Sequence, residues 1–235
     1  MLRLIVVPLL ALALASSAHA QFEKILKGAG GNKKDDDSKT SSGLKEALQV
    51  GAERAVDLTG TTDGYFKNQA IKILMPEKLR STEKALRLAG MGSKIDEFEL
   101  SMNRAAEAAA PAARGIFKDA VTKMTFDDAR KLLTGGDTSI TEYFKAKTTP
   151  QLTAAFKPSV ETAMESTGVV KQYKQLTGNL PQLPFAKPQS FDITDYVVSK
   201  TLDGLFYMLG QEEKKIRTNP AARITPLLKD VFGKK

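Results

Sequence analysis

The chain has 235 residues, 35 Lys and Arg against 27 Asp and Glu for a formal net charge of +8, one His, and no Cys or Trp. His19 lies in a leader expected to be removed, which leaves a mature chain with neither imidazole nor thiol. That composition excludes Ser-His and Cys-His nucleophile pairs, the usual zinc ligand sets, disulfides, and any side chain with an ordinary pKa near neutrality.

Met1 to Ala20 has the grammar of a signal peptide. Arg3 supplies the positive start, Leu4 to Ala15 the apolar stretch, and Ala18-His19-Ala20 a small-x-small cleavage site. A membrane-spanning helix needs roughly 20 apolar residues, and this stretch is shorter, carries Pro8 and runs into Ser16 and Ser17. Cleavage after Ala20 is expected, with a periplasmic or secreted product and no membrane span in the mature chain. No cysteine follows the apolar run, so lipid attachment is chemically closed. The 215 remaining residues suffice for one large core, and the charge stays at +7, with 34 basic and 27 acidic residues. Positive charge suits anionic partners such as lipid headgroups or envelope polymers. The basic residues mostly alternate with acids, as from Lys67 to Glu83, so there is no specific nucleic-acid signal.

Residues 21–42 turn to Gly, Lys, Asp and Ser, which predicts a flexible linker before a single domain over 43–235. Gly28-Ala29-Gly30-Gly31 lacks the Gly-Lys-Ser/Thr of a phosphate loop, and Asp35-Asp36-Asp37 lacks the Gly and Glu of a calcium loop. No cofactor or metal is expected.

From there the apolar residues recur at the helical period, which predicts an all-α, multi-helix bundle. Leu44, Ala47, Leu48, Ala52, Ala55 and Val56 form the first stripe. Pro76 suits the first turn of a helix that buries Leu79 and Leu86 and stops at Gly90. Ser93 and Asp96 read as a short-armed capping box before a helix with Ile95, Phe98, Met102, Ala105, Ala106 and Ala109 on one face. Pro111 should kink or restart it. Ile116, Phe117, Ala120, Val121 and Met124 lead to Thr125 and Asp128, a second box, whose helix ends at Gly135-Gly136.

Asp137 to Lys147 carries Ile140, Tyr143 and Phe144. A new helix is predicted from Thr149-Pro150, bearing Leu152, Phe156, Val160 and Met164 and bent at Pro158. Val169, Val170, Tyr173 and Leu176 predict another, and Pro181, Pro184 and Pro188 a long connection that is a candidate functional loop. Asp192 and Asp195 then read as another short-armed capping box, opening a helix to about Arg217. Its apolar residues occupy most of the circumference, which places it at the centre of the bundle with Glu212 partly buried among them. Pro226 starts a last short helix.

Several runs resemble one bacterial family, catalogued as domain of unknown function 4197. They are Ser42-Gly43-Leu44-Lys45-Glu46-Ala47-Leu48, Ser101-Met102-Asn103-Arg104-Ala105-Ala106-Glu107, Leu132-Leu133-Thr134-Gly135-Gly136-Asp137, Tyr143-Phe144 and Leu202-Asp203-Gly204-Leu205-Phe206. The resemblance covers about Ser42 to Gly233. It implies an exported helical protein of uncharacterised activity and carries no catalytic residues.

Two constellations remain. Glu99, Asn103 and Glu107 lie four apart along one helix flank with Arg104 beside them. This row could bind a cation, a polar headgroup or a partner, do acid-base work, or stitch the helix to a neighbour, with Glu212 as a partner for Arg104. Asp203 and Glu212 on the long helix join it as candidate contact residues. The second, Glu165-Ser166-Thr167-Gly168, resembles the Glu-Ser-x-Gly motif of lytic transglycosylases, in which a buried glutamic acid protonates a glycosidic oxygen. The downstream Gly-Leu-Met-Gln-like segment of that family is missing. The leading expectation is therefore a non-enzymatic envelope protein that binds a lipid or other apolar ligand, an apolar peptide, a partner helix, an envelope polymer or another envelope protein. The alternative is a carboxylate-dependent glycan-cleaving enzyme that uses Glu165.

Overall fold

The stripe from Leu44 to Val56 becomes the buried face of α1 (Lys33–Gly60) in a computed structural model, which describes residues 33–166 and 192–223 together with Pro226 and Lys229. The helix starts at Lys33, inside the segment expected to be a flexible linker to residue 42. Residues 33–42 carry few apolar groups, yet they are continuous with the helix whose buried face begins at Leu44.

Irregular chain follows from Thr61 to Pro76, then a 3-10 turn (Glu77–Leu79) and α2 (Arg80–Leu88). Gly90 ends α2 as expected. Its φ of 79° lies in the left-handed region, and the Met91 N–H reaches back to the Leu86 carbonyl at 2.9 Å. The next helix, α3 (Gly92–Ala109), has no side-chain cap. Ser93 and Asp96 therefore do not form the predicted box, because Asp96 pairs with Arg87 at 2.9 Å instead. Pro111 behaves as read. It sits in a 3-10 turn (Ala110–Ala112) between α3 and α4 (Ala113–Lys123). Thr125 and Asp128 form a true reciprocal capping box on α5 (Phe126–Thr134).

One long helix, α6 (Ser139–Ser166), replaces the two predicted around Pro150. Ile140, Phe144, Thr148, Leu152, Phe156, Val160 and Met164 recur every fourth residue and are all buried. Each proline costs a helix about 3 kcal/mol. Burying a side chain such as Leu152 or Phe156 returns about 1.5–3 kcal/mol, so the continuous stripe outweighs the two breaks. Both prolines lie on the exposed side.

The last long helix, α7 (Ile193–Thr218), packs against α6, α1 and α3 and is central to the bundle. Val197 and Leu205 are fully buried, and Phe117, Phe144 and Phe206 bring α4, α6 and α7 together through ring contacts of 5.0 and 6.3 Å. Asp192 caps it by accepting from the Thr194 and Asp195 N–H groups, while Asp195 pairs outward with Lys157. The described residues contain no strand, and no helix among them is long and apolar enough to cross a membrane. The expected helix at Val169 to Leu176 and the Pro181 to Pro188 loop lie outside the described residues, as does most of the helix expected at Pro226.

Candidate functional site

The predicted row on α3 exists, and its partner is main chain. Asn103 Nδ2 donates to the Ile73 carbonyl at 2.8 Å while its Oδ1 accepts from the Ile73 N–H at 2.8 Å, so the carboxamide pairs with Ile73 as a neighbouring peptide unit would. One turn earlier Glu99 Oε1 accepts from the Met75 N–H at 3.0 Å. One turn later Glu107 Oε1 accepts from the N–H groups of Tyr65 and Phe66, each at 3.1 Å. All three side chains are buried. Spacing of four residues puts them along one line, and that line pins the irregular segment between α1 and α2.

Arg104 closes the end of this clamp. It donates to Glu107 Oε2 at 2.6 Å and to Asp63 Oδ1 at 2.7 Å, so the expected Arg104–Glu212 pair does not form. Glu107 first and Asp63 second hold the guanidinium above its ordinary pKa. Asp63 is held below its ordinary value by Lys67 first and then Arg104. Its φ of 69° places it in the left-handed region, which Asp tolerates better than most residues. Glu212 is buried as expected, yet its partners are Lys215 at 2.6 Å and Arg54 at 3.8 Å.

One buried carboxylate escaped the sequence reading. Glu213 accepts from the N–H groups of Ile140 and Thr141 at 3.0 and 2.9 Å and from the Thr141 hydroxyl at 2.7 Å, which caps α6 from a different helix. Arg217 pairs with it at 2.9 Å and reaches the Leu132 carbonyl and Ser139 Oγ. Only the wheel position of Glu213 beside Ile216 and Leu209 hinted at burial. Nothing local in the sequence names Ile140 as its partner.

With these groups committed to the fold, the exposed chemistry lies elsewhere. The segment pinned by α3 alternates. Ile71, Ile73 and Met75 are buried, Lys72 is half-buried, and Leu74 is 51% exposed. Against α7 it forms an open cleft of about 670 Å³. Ile71, Met75 and Gly204 contribute to its lining, and Leu74, Tyr196 and Tyr207 add apolar surface, Tyr207 being 45% exposed. Lys72, Lys78, Arg80 and Lys200 supply positive charge against Glu77 and Asp203. Of the predicted contact residues Asp203 alone lines this cleft, paired with Lys200 at 3.2 Å. Tyr196 donates from its hydroxyl to the Leu74 carbonyl at 3.0 Å, and burial first, then Glu77, raises its pKa.

Glu165 is exposed in the last turn of α6, so the apolar enclosure that a lone glutamic acid needs is not built around it by the described residues. Thr167 and Gly168 of that motif lie outside them. Among the described residues no group of three or more acidic or imidazole side chains is placed to hold a metal ion.

No curated protein and no solved structure matches the chain. A family model described as protein of unknown function (DUF4197) matches residues 34–233. The runs that carried the resemblance have structural duties: Asn103 and Glu107 clamp the 61–76 segment, the Leu132 carbonyl receives Arg217, and Gly204 lies under the Tyr65 ring. The chain belongs to the DUF4197 family.

Proposed function

We propose that the protein is an exported, non-enzymatic binding module of the cell envelope, and that the cleft between residues 70–80 and α7 holds its partner. The observation that carries this reading is the pairing of two large exposed side chains, Leu74 and Tyr207, with a basic rim beside a fixed floor. Isolated exposed apolar residues are ordinary, but apolar surface gathered in a concave, charged-rimmed place is the usual form of a binding site. Glu99, Asn103 and Glu107 are spent on main-chain hydrogen bonds and Glu165 is exposed, which supports binding over chemistry. The leader from Met1 to Ala20 supports export.

Two measurements test this. Edman sequencing of the protein from the periplasmic fraction or culture medium should give Gln21 as the first residue, and a cytoplasmic chain that retains Met1 would defeat the export claim. Titration of the mature chain with oleate, with phosphatidylglycerol vesicles and with acidic, apolar peptides should find at least one saturable interaction that Leu74→Asp and Tyr207→Asp each weaken. Equal binding by both variants, or no binding by any of these probes, would overturn the cleft as the site.

A further inference from the structure

We infer that the occupant of the cleft is an extended peptide segment carrying carboxylates, which pairs through its main chain with the outer edge of residues 72–74; this rests on the cleft being the binding site. The inner edge of that segment is already paired. Asn103 holds both the N–H and the carbonyl of Ile73, and Glu99 holds the N–H of Met75. In extended chain successive residues present their main-chain groups to opposite sides, so those of Leu74 and the Lys72 carbonyl face away from α3. Tyr196 on α7 takes up the Leu74 carbonyl, so that group points toward α7.

Among the described residues the Leu74 N–H donates to no protein group and the Lys72 carbonyl accepts from none. A donor and an acceptor two residues apart on one edge form the pattern that an added strand completes. They lie at a cleft whose apolar surface, Leu74 and Tyr207, would meet alternate side chains of that strand. Four basic residues against two acidic ones at its rim favour carboxylates on the remaining positions. Arg80–Glu77 and Lys200–Asp203 are exposed pairs at 3.3 and 3.2 Å, weak enough to be exchanged for a carboxylate from outside.

An acyl chain fits less well. The cleft is open, so a lipid tail would leave one side in water and gain nothing from an exposed main-chain donor and acceptor. A peptide uses both.

The test uses the mature chain and acetylated, amidated heptapeptides that alternate apolar and acidic residues. Saturable one-to-one binding is expected, weakened about tenfold when the peptide is N-methylated at one set of alternate residues and little changed when the other set is methylated. Hydrogen exchange at the Leu74 amide should slow on binding, and Lys200→Glu should weaken the acidic peptides while leaving the fold intact. Peptides that bind with no N-methyl register effect and no slowing at Leu74 would overturn main-chain pairing and leave the cleft standing. Binding of oleate or vesicles without any peptide would overturn the peptide as occupant and leave the binding module. Failure of every probe would sink both.

Discussion

The Tyr65 ring lies directly on the bare backbone of Gly204, and its hydroxyl donates to the Thr201 carbonyl at 2.6 Å. Tyr65 is fully buried, and burial first, then Glu107 and Asp203, pushes its phenol well above the ordinary range. One residue thus ties the loop clamped by α3 to the central helix α7, and both lie under the proposed cleft.

Gly204→Ala tests that contact. A Cβ there would overlap the ring edge and come within 3.2 Å of Ile71 Cβ, whereas a Cβ at Gly210 on the same helix meets Thr141 Oγ1 at 3.5 Å, an ordinary contact. Overpacking costs about 1–3 kcal/mol, and replacing a mid-helix glycine by alanine gains up to about 1 kcal/mol. Urea denaturation should therefore show Gly204→Ala less stable than the parent and Gly210→Ala equal or more stable. Equal behaviour of the two variants would remove Tyr65 as the reason for the glycine.

Asn103→Ala strips both partners from a buried peptide unit. The Ile73 N–H and carbonyl would be left unpaired at about 1–3 kcal/mol each, so a loss of about 2–6 kcal/mol is expected. Glu99→Gln keeps an acceptor for Met75 and should lose under about 1.5 kcal/mol. If exposed pairing rather than the clamp were the purpose of the row, the two substitutions would cost alike. Circular dichroism in urea measures both.

The helices were legible because their buried stripes are local. Ile95 to Ala109 and Thr125 with Asp128 can be read from spacing and capping alone. Continuity through Pro150 was not, because the proline penalty is visible in the sequence while the packing partners of Leu152 and Phe156 are not. The α3 row was visible as geometry, but its partners lie 24 to 42 residues away in the chain, and no residue type marks a main-chain N–H as needing a carboxylate. The alternation from Ile71 to Met75 exists in burial and not in hydropathy: Leu74 is as apolar as its neighbours, so the sequence does not mark it as the exposed member.

Acid should loosen the clamp. The folded pKa of Asp63 lies below its ordinary value of 3.8, owing to Lys67 first and Arg104 second. Its contribution is present above that value and disappears as pH falls through the lower folded value, because the unfolded chain binds the proton more readily in that window. Asn at position 63 tolerates the left-handed backbone but carries no charge to titrate. Asp63→Asn should therefore reduce stability at pH 6 and flatten its fall below about pH 4. Parallel pH dependences for the two proteins would contradict the assignment.

The Glu213–Arg217 pair should behave as a unit. Glu213→Leu alone removes the acceptor for two α6 N–H groups and leaves Arg217, 10% exposed, without that carboxylate; breaking a buried pair in this way costs about 3–5 kcal/mol. Arg217→Leu alone also strips the Leu132 carbonyl and Ser139, so it should cost a similar amount. The double variant should lose less than the sum by about 1–3 kcal/mol, since the second change no longer orphans a charge. A protein in which the two losses add independently would mean that Glu213 stabilises α6 solely through its N–H contacts. Arg217 would then act through the Leu132 carbonyl and Ser139 Oγ alone, which chemical denaturation of all four proteins in one buffer would reveal.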